Sequence, residues 1–305
     1  MLAAFWKPQE INLSKDKSDF LALDEFEQHL FLSNIRSQIV QDHIQSLGLA
    51  QSFLPITTDP MVKRCINLIE FQEEVHAIAY EHIAKNIFND PSIVFEGMDE
   101  IKEIVARSTS VTKYYDLLLD EVAKYRLNLT SQYKVRRAAW MALQAINALE
   151  GIRFFVSFAC SFSFGDSGRM VGNATEIKMI ANDELLHVAF TTALLRILPE
   201  DYPEFAEIER ECREEAFALF MDVVAEERLW NAYLFSKGSL IGLNQEILDQ
   251  YLSFMAAKRM RAIGMEYPDE VPRTNPLPMM GRWLNEGDSQ PAPQETEITS
   301  YVHRL

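Results

Sequence analysis

This sequence predicts an all-α fold, a single bundle of long helices. Three observations carry that reading. Apolar residues recur at three- and four-residue spacing over long stretches, no segment shows the strict alternation or β-branched enrichment of a strand, and glycine or proline signals separate the periodic stretches. In residues 24–48 the period runs through Phe26, Leu30, Ile35 and Ile39, and Gly48 stands where a helix would stop. A second helix covers residues 60–89 and ends at Asn89-Asp90-Pro91, whose proline cannot continue it. Four more cover 98–127, 133–164, 174–198 and 203–236, with breaks at 165–168 and 199–203. A last helix at 244–267 leads into a proline-containing, acidic tail. The expected organisation is one domain over 1–284 and a flexible tail over 285–305, with no internal repeat at solenoid periods.

A chain of 305 residues, 48% of them hydrophobic, can bury a large core. Its 45 acidic and 29 basic residues give a formal charge of −16, which repels nucleic-acid phosphates and anionic lipid surfaces. Cys65, Cys160 and Cys212 are odd in number and far apart, so neither a disulfide framework nor a thiolate metal site is expected. The start lacks the pattern of a signal peptide, and the longest apolar stretch, 154–164, is too short to span a bilayer. A soluble, cytoplasmic protein is expected.

Of six histidines, His76 and His187 alone follow a glutamate at i−3, in Glu73-Glu74-Val75-His76 and Glu184-Leu185-Leu186-His187. Residues three apart share a helix face, so each pair can aim a carboxylate and an imidazole at one ion. A single such pair is more often a solvated contact, but two on separate helices, with one more acid from each of two others, match the donor set of dinuclear carboxylate bundles. Glu150 supplies one acid, because it lies in an apolar run where an unpaired glutamate costs several kcal/mol. Asp42 is the other candidate, although beside Gln41 and His43 it could face solvent. These donors suit iron or manganese. Tyr80 lies one turn beyond His76; by spacing alone it reads as a core tyrosine. Phe154, Phe158 and Ile180 could wall it into a dry pocket or be ordinary core. Glu74, His29, His43, His82 and His303 read as surface or core polar groups.

Several stretches resemble the small subunit of class I ribonucleotide reductases: Phe5-Trp6-Lys7-Pro8, residues 73–80, Asn89-Asp90-Pro91-Ser92, LEGIRFFVSFACSFSF at 149–164, IANDELLH at 180–187 and APQETEITSY at 292–301. The resemblance spans nearly the whole chain and favours the iron-type, tyrosyl-radical branch, class Ia. It implies a ferritin-like bundle with flanking helices and a dinuclear metal centre in its core. Two iron ions would activate dioxygen and be left bridged by an oxygen atom, with manganese as the alternative. Asp42, Glu73 and His76 would hold one ion and Glu150, Glu184 and His187 the other, with Glu73 and Glu184 bridging. Tyr80 would carry the radical, in a pocket with Phe154, Phe158 and Ile180. Trp6, Asp183 and Tyr301 would pass the radical on, aided by Glu295, to a cysteine of a separate large subunit that reduces the ribonucleotide; Glu10 matches an interface residue.

A homodimer is implied, with the helices at 24–48 and 89–127 as its interface. One departure is that family members continue past the relay tyrosine with a docking peptide, whereas this sequence stops at Leu305; either it is truncated or docking lies elsewhere. Two rivals use the same bundle. A ligand-binding oxidase or monooxygenase would not need Trp6, Asp183 and Tyr301 together. An iron store would be shorter and assemble into shells.

Overall fold

The computed structural model describes residues 5–284. It is all-helical: among the described residues the one β-type pairing is the bridge between Leu240 and Leu243. The helices are α1 (Ser14–Ala22), α2 (Glu25–Phe53), α3 (Pro60–Ile87), α4 (Lys102–Arg126), α5 (Gln132–Ala148), α6 (Phe154–Asp166), α7 (Val171–Asp201), α8 (Pro203–Leu234), α9 (Gln245–Ala262) and α10 (Pro278–Leu284). A π-turn, Leu149–Arg153, joins α5 to α6 without interruption. Helices α2, α3, α7 and α6 contact one another in a closed ring, α2 to α3 to α7 to α6 and back to α2. The remaining helices pack around this ring, which is the arrangement expected of a ferritin-like bundle with flanking helices.

Local chemistry sets the starts. Asp24 and Glu27 form a reciprocal capping box on α2. Asp59 accepts from Met61 and Val62 ahead of α3, whose Pro60 needs no partner for an amide it lacks. Ser131 and Asn244 cap α5 and α9. Helix α9 stops in a Schellman motif, with Gly264 at φ +77°, Met265 N–H on Met260 O and Gly264 N–H on Arg261 O, so it ends five residues before the expected 267.

Other boundaries also depart from the sequence reading. Gly48 does not end α2, which continues to Phe53; a Cβ there would sit 2.6 Å from the Tyr115 ring, so the glycine serves close helix contact. Residues Met98–Glu100 form a separate 3₁₀ turn after Gly97, and α4 begins at Lys102. Pro199 lies inside the last turn of α7, which runs on to Asp201. Helix α1, too short and polar to show a period, was not expected. The apolar run is longer than 154–164 suggests: Gln132–Asp166 is long and apolar enough to cross a membrane, but its apolar window is wholly buried in the bundle. The three cysteines are free, as expected.

Helix α1 is held to the start of α7 by its acids. Asp16 accepts from Gly172 N–H at 3.1 Å and Asn173 N–H at 2.6 Å, and Asp19 accepts from Met170 N–H at 2.9 Å. Asp16 thus caps α7 from another helix, and burial pushes its pKa up to about 6. Between the ordinary carboxyl pKa and about 6 the folded chain binds more protons than the unfolded chain, so this group's contribution is full below about 4 and fades as pH rises to 6. The stability of the parent relative to Asp16→Asn should therefore fall over that interval by on the order of 2–3 kcal/mol, measured by urea unfolding at a series of pH values. Gly48→Ala should destabilise by about 1–3 kcal/mol, because overpacking against Tyr115 exceeds the ~1 kcal/mol gained in helix propensity; thermal unfolding reads the sign.

Candidate metal centre

Each helix of the ring delivers donors to one place. Asp42 comes from α2, Glu73 and His76 from α3, Glu150 from the π-turn leading into α6, and Glu184 and His187 from α7. All six are at most 3% exposed. Their donor atoms form two groups within 4.8 Å: Asp42, Glu73, His76 and Glu184, and Glu73, Glu150, Glu184 and His187. Glu73 and Glu184 belong to both, which is the geometry two neighbouring ions would share. Asp42, the weakest candidate by pattern, faces the core.

The π-turn sets the aim of Glu150, and buried charges hold it. Arg259 of α9 donates from Nε to Gly151 O at 3.1 Å, so the widened turn does not leave that carbonyl bare. A Cβ at Gly151 would meet the Arg259 side chain at 3.1 Å, which explains the glycine. Arg153, wholly buried, donates to Arg107 O, to Ser110 Oγ and to Glu226, while Arg107 grips Glu227 with Nε and Nη2.

Electrostatics favours cations here. Both oxygens of Asp42, Glu73 and Glu150, one oxygen of Glu184, and His76 Nδ1 are buried with no hydrogen-bond partner. Burial, then the charge of Glu73, pushes Asp42 well above the usual carboxyl range. Burial, then Glu184, does the same to Glu150. Burial would raise Glu184 too, but His187 beside it pulls it below the ordinary value. Both imidazoles resist burial's downward pull and are raised, His76 by its hydrogen bond to Asp183 and the carboxylates of Glu184 and Glu73 close by, and His187 by the Glu184 charge and the carboxylates of Glu150 and Glu73 close by. Four buried carboxylates need positive charge, and oxygen donors with two imidazoles fit two divalent ions.

Around the six lie the other candidates. Trp6 Nε1 donates to Asp183 Oδ2 at 2.9 Å, and His76 Nε2 lies 3.2 Å from the same oxygen. Tyr80 is 2% exposed, its hydroxyl makes no hydrogen bond, and burial and then the Asp42 charge keep its pKa well above the usual phenol value. A cavity of about 360 Å³ is lined by Tyr80, Asp42 and Glu73 together with Ile39, His43, Phe95 and Met98. Phe154, Phe158 and Ile180 are wholly buried, with the two phenylalanine rings stacked at 5.6 Å. Tyr301 and Glu295 lie outside the described residues.

Two residues near the site were not singled out from sequence. Gln72 bonds to Asp183 and His187; its place one turn before His76 was the available signal. Tyr115, buried and donating to Gln45, feels the charges of Glu150 and Glu73. His82, read as an ordinary polar group, pairs with buried Glu176.

Comparison with known families decides the assignment. The family model for the ribonucleotide reductase small chain matches residues 1–276. The chain belongs to the ribonucleotide reductase small-chain family. Among curated relatives, the ribonucleoside-diphosphate reductase subunit beta of Haemophilus influenzae is 40% identical over 99% of this chain and 84% of its own length. The Escherichia coli O157:H7 subunit 1 beta is 38% identical over the same shares. The solved ribonucleotide reductase R2 subunit from Clostridium botulinum shares the fold, with a TM-score of 0.78 at 24% identity over 93% of this chain and 85% of that one.

For this small chain the overlap of the two donor groups makes separable expectations. Divalent manganese at a hundred times its dissociation constant should stabilise the fold by about 2.7 kcal/mol for each ion bound, seen as a raised melting temperature. Glu184→Ala, which strips both groups, should abolish that shift, while Asp42→Ala should leave one ion per chain by metal analysis after desalting.

Proposed function

We infer that this chain is the radical-generating small subunit of a ribonucleoside-diphosphate reductase, with Asp42, Glu73, His76, Glu150, Glu184 and His187 as ligands of a dinuclear centre. The observation that carries the reading is the joining of three features in one core: two donor groups sharing Glu73 and Glu184, buried Tyr80 one turn beyond His76, and Asp183 between His76 and Trp6. Two iron ions, or manganese, would supply with dioxygen the one-electron oxidising power that side chains lack.

The chain's own residues do the rest. Glu73 and Glu184, which belong to both donor groups, would be shared by the two ions, and the other four would complete the two sets. Tyr80 is protonated at Oη, so its oxidation removes an electron and a proton together, with Asp42 as the neighbouring base. Tyr80 is buried, and we assign Phe154, Phe158 and Ile180 as the dry wall of its pocket. Asp183 holds the Trp6 indole and the His76 imidazole on one oxygen, which links the centre to the start of the chain. Tyr301, with Glu295, would relay the radical onward to the large subunit, where the nucleotide binds. The partners proposed are that subunit, dioxygen and a second copy of this chain meeting through α2 and residues 89–127; the location proposed is the cytoplasm. A ligand-binding oxidase on this bundle would have no use for the Trp6–Asp183–His76 link.

Loading the metal-free protein with ferrous iron in air should give a tyrosyl signal by electron paramagnetic resonance that is absent in Tyr80→Phe. No Tyr80-dependent signal with iron, or with manganese and its activating partner, would sink the proposal. Asp183→Asn should keep the tyrosyl signal yet lower turnover with the large subunit roughly 10–100-fold or more, measured as deoxyribonucleotide formed.

A further inference from the structure

Gln72, buried on α3, belongs to neither donor group. Its Nε2 donates to Asp183 Oδ1 at 2.7 Å, and its Oε1 lies 3.2 Å from His187 Nε2. Chemistry dictates this orientation of the amide. Turned over, it would set its oxygen against the Asp183 carboxylate, two acceptors face to face. With Oε1 toward His187, the contact is a hydrogen bond when His187 Nε2 carries a proton. Nδ1 is then the nitrogen left to bind an ion, and it faces Glu184, Glu73 and Glu150 at 2.9, 3.3 and 3.8 Å.

His76 is arranged in the same way. Its Nε2 faces Asp183 Oδ2, and its Nδ1 faces Glu184 and Glu73 at 3.4 and 3.5 Å. Both imidazoles turn the same nitrogen inward, and both outward protons are gathered by Asp183, one directly and the other through the Gln72 amide. Outer partners of this kind fix ring orientation and tune the basicity of the ligand. The two histidines differ in that respect: His76 meets a carboxylate, and His187 meets a neutral amide.

We propose that Gln72 is a positioning residue that holds His187 with Nδ1 inward and ties it to Asp183, so that one carboxylate orients Trp6 and the histidines of both donor groups. The proposal rests on reading those groups as a dinuclear centre. Gln72 itself touches no ion; it acts through His187.

Cobalt(II) titration followed optically resolves the two binding steps, and ¹⁵N-histidine and ¹⁵N-tryptophan labelling of the zinc-loaded protein reports the His187 ring protons and the Trp6 indole. The parent should bind two ions, with the His187 proton on Nε2. Gln72→Met should bind its first ion as the parent does and its second roughly 10–100-fold more weakly, with the Trp6 indole signal displaced. Gln72→Asn, too short to span both partners, should behave alike and serves if the methionine variant fails to fold. Equal weakening of both steps would mark a general lesion in α3, which also carries Glu73 and His76, and would overturn the proposal. So would parental affinities at both steps, or a parent with the His187 proton on Nδ1. A parent that takes up fewer than two ions would overturn the dinuclear reading as well, which tells that failure from the others.

Discussion

Four carboxylates buried together in one core form the constraint to which the rest of this structure answers. Their mutual repulsion and lost hydration would each cost several kcal/mol in an apolar core. Cations and the two imidazoles offset that cost when they sit among the oxygens, and the helices must hold every donor in place. The closed ring of α2, α3, α7 and α6 does this with one helix per side, and the flanking helices pack around it. The fold is thereby a frame for charge as much as a way to bury leucines and phenylalanines.

That frame has a polar skeleton of its own. Buried Arg107, Arg153 and Glu227, with half-buried Glu226, form a cluster behind the π-turn, and Arg259 closes the turn's open carbonyl. The Arg107 guanidinium also lies over the Trp230 ring at 4.8 Å. Buried ion pairs are weak contributors to net stability, but breaking one leaves an uncompensated charge. Such a cluster therefore resists local rearrangement, and the turn that carries Glu150 is where rearrangement would matter most.

The parts legible in sequence were those whose signal is local. Glu73 with His76 and Glu184 with His187 are three residues apart on helices, and Glu150 stood out as an acid in an apolar run. Asp42 needed the fold, because its neighbours in sequence are polar and its role appears when α2 meets α3. Gln72 was silent because its partners lie 111 and 115 residues away. The π-turn has no apolar period that differs from the helices it joins, and Gly48 carried a stop signal whose real cause, the Tyr115 ring, belongs to another helix. Helix α1 gave no period at all, since its work is done by the polar side chains of Asp16 and Asp19.

The attachment of the chain's start to α7 orders events during synthesis. Trp6 meets a partner 177 residues later, and Asp16 caps a helix start 156 residues away. At ribosomal speed, α7 emerges on the order of ten seconds or more after the first helix. Until then Trp6 and Asp16 have neither the carboxylate nor the amides they bind in the finished fold. The segment that carries Trp6 and Asp16 is thus among the late pieces to dock, and a nascent chain halted before α7 cannot join Trp6 to Asp183.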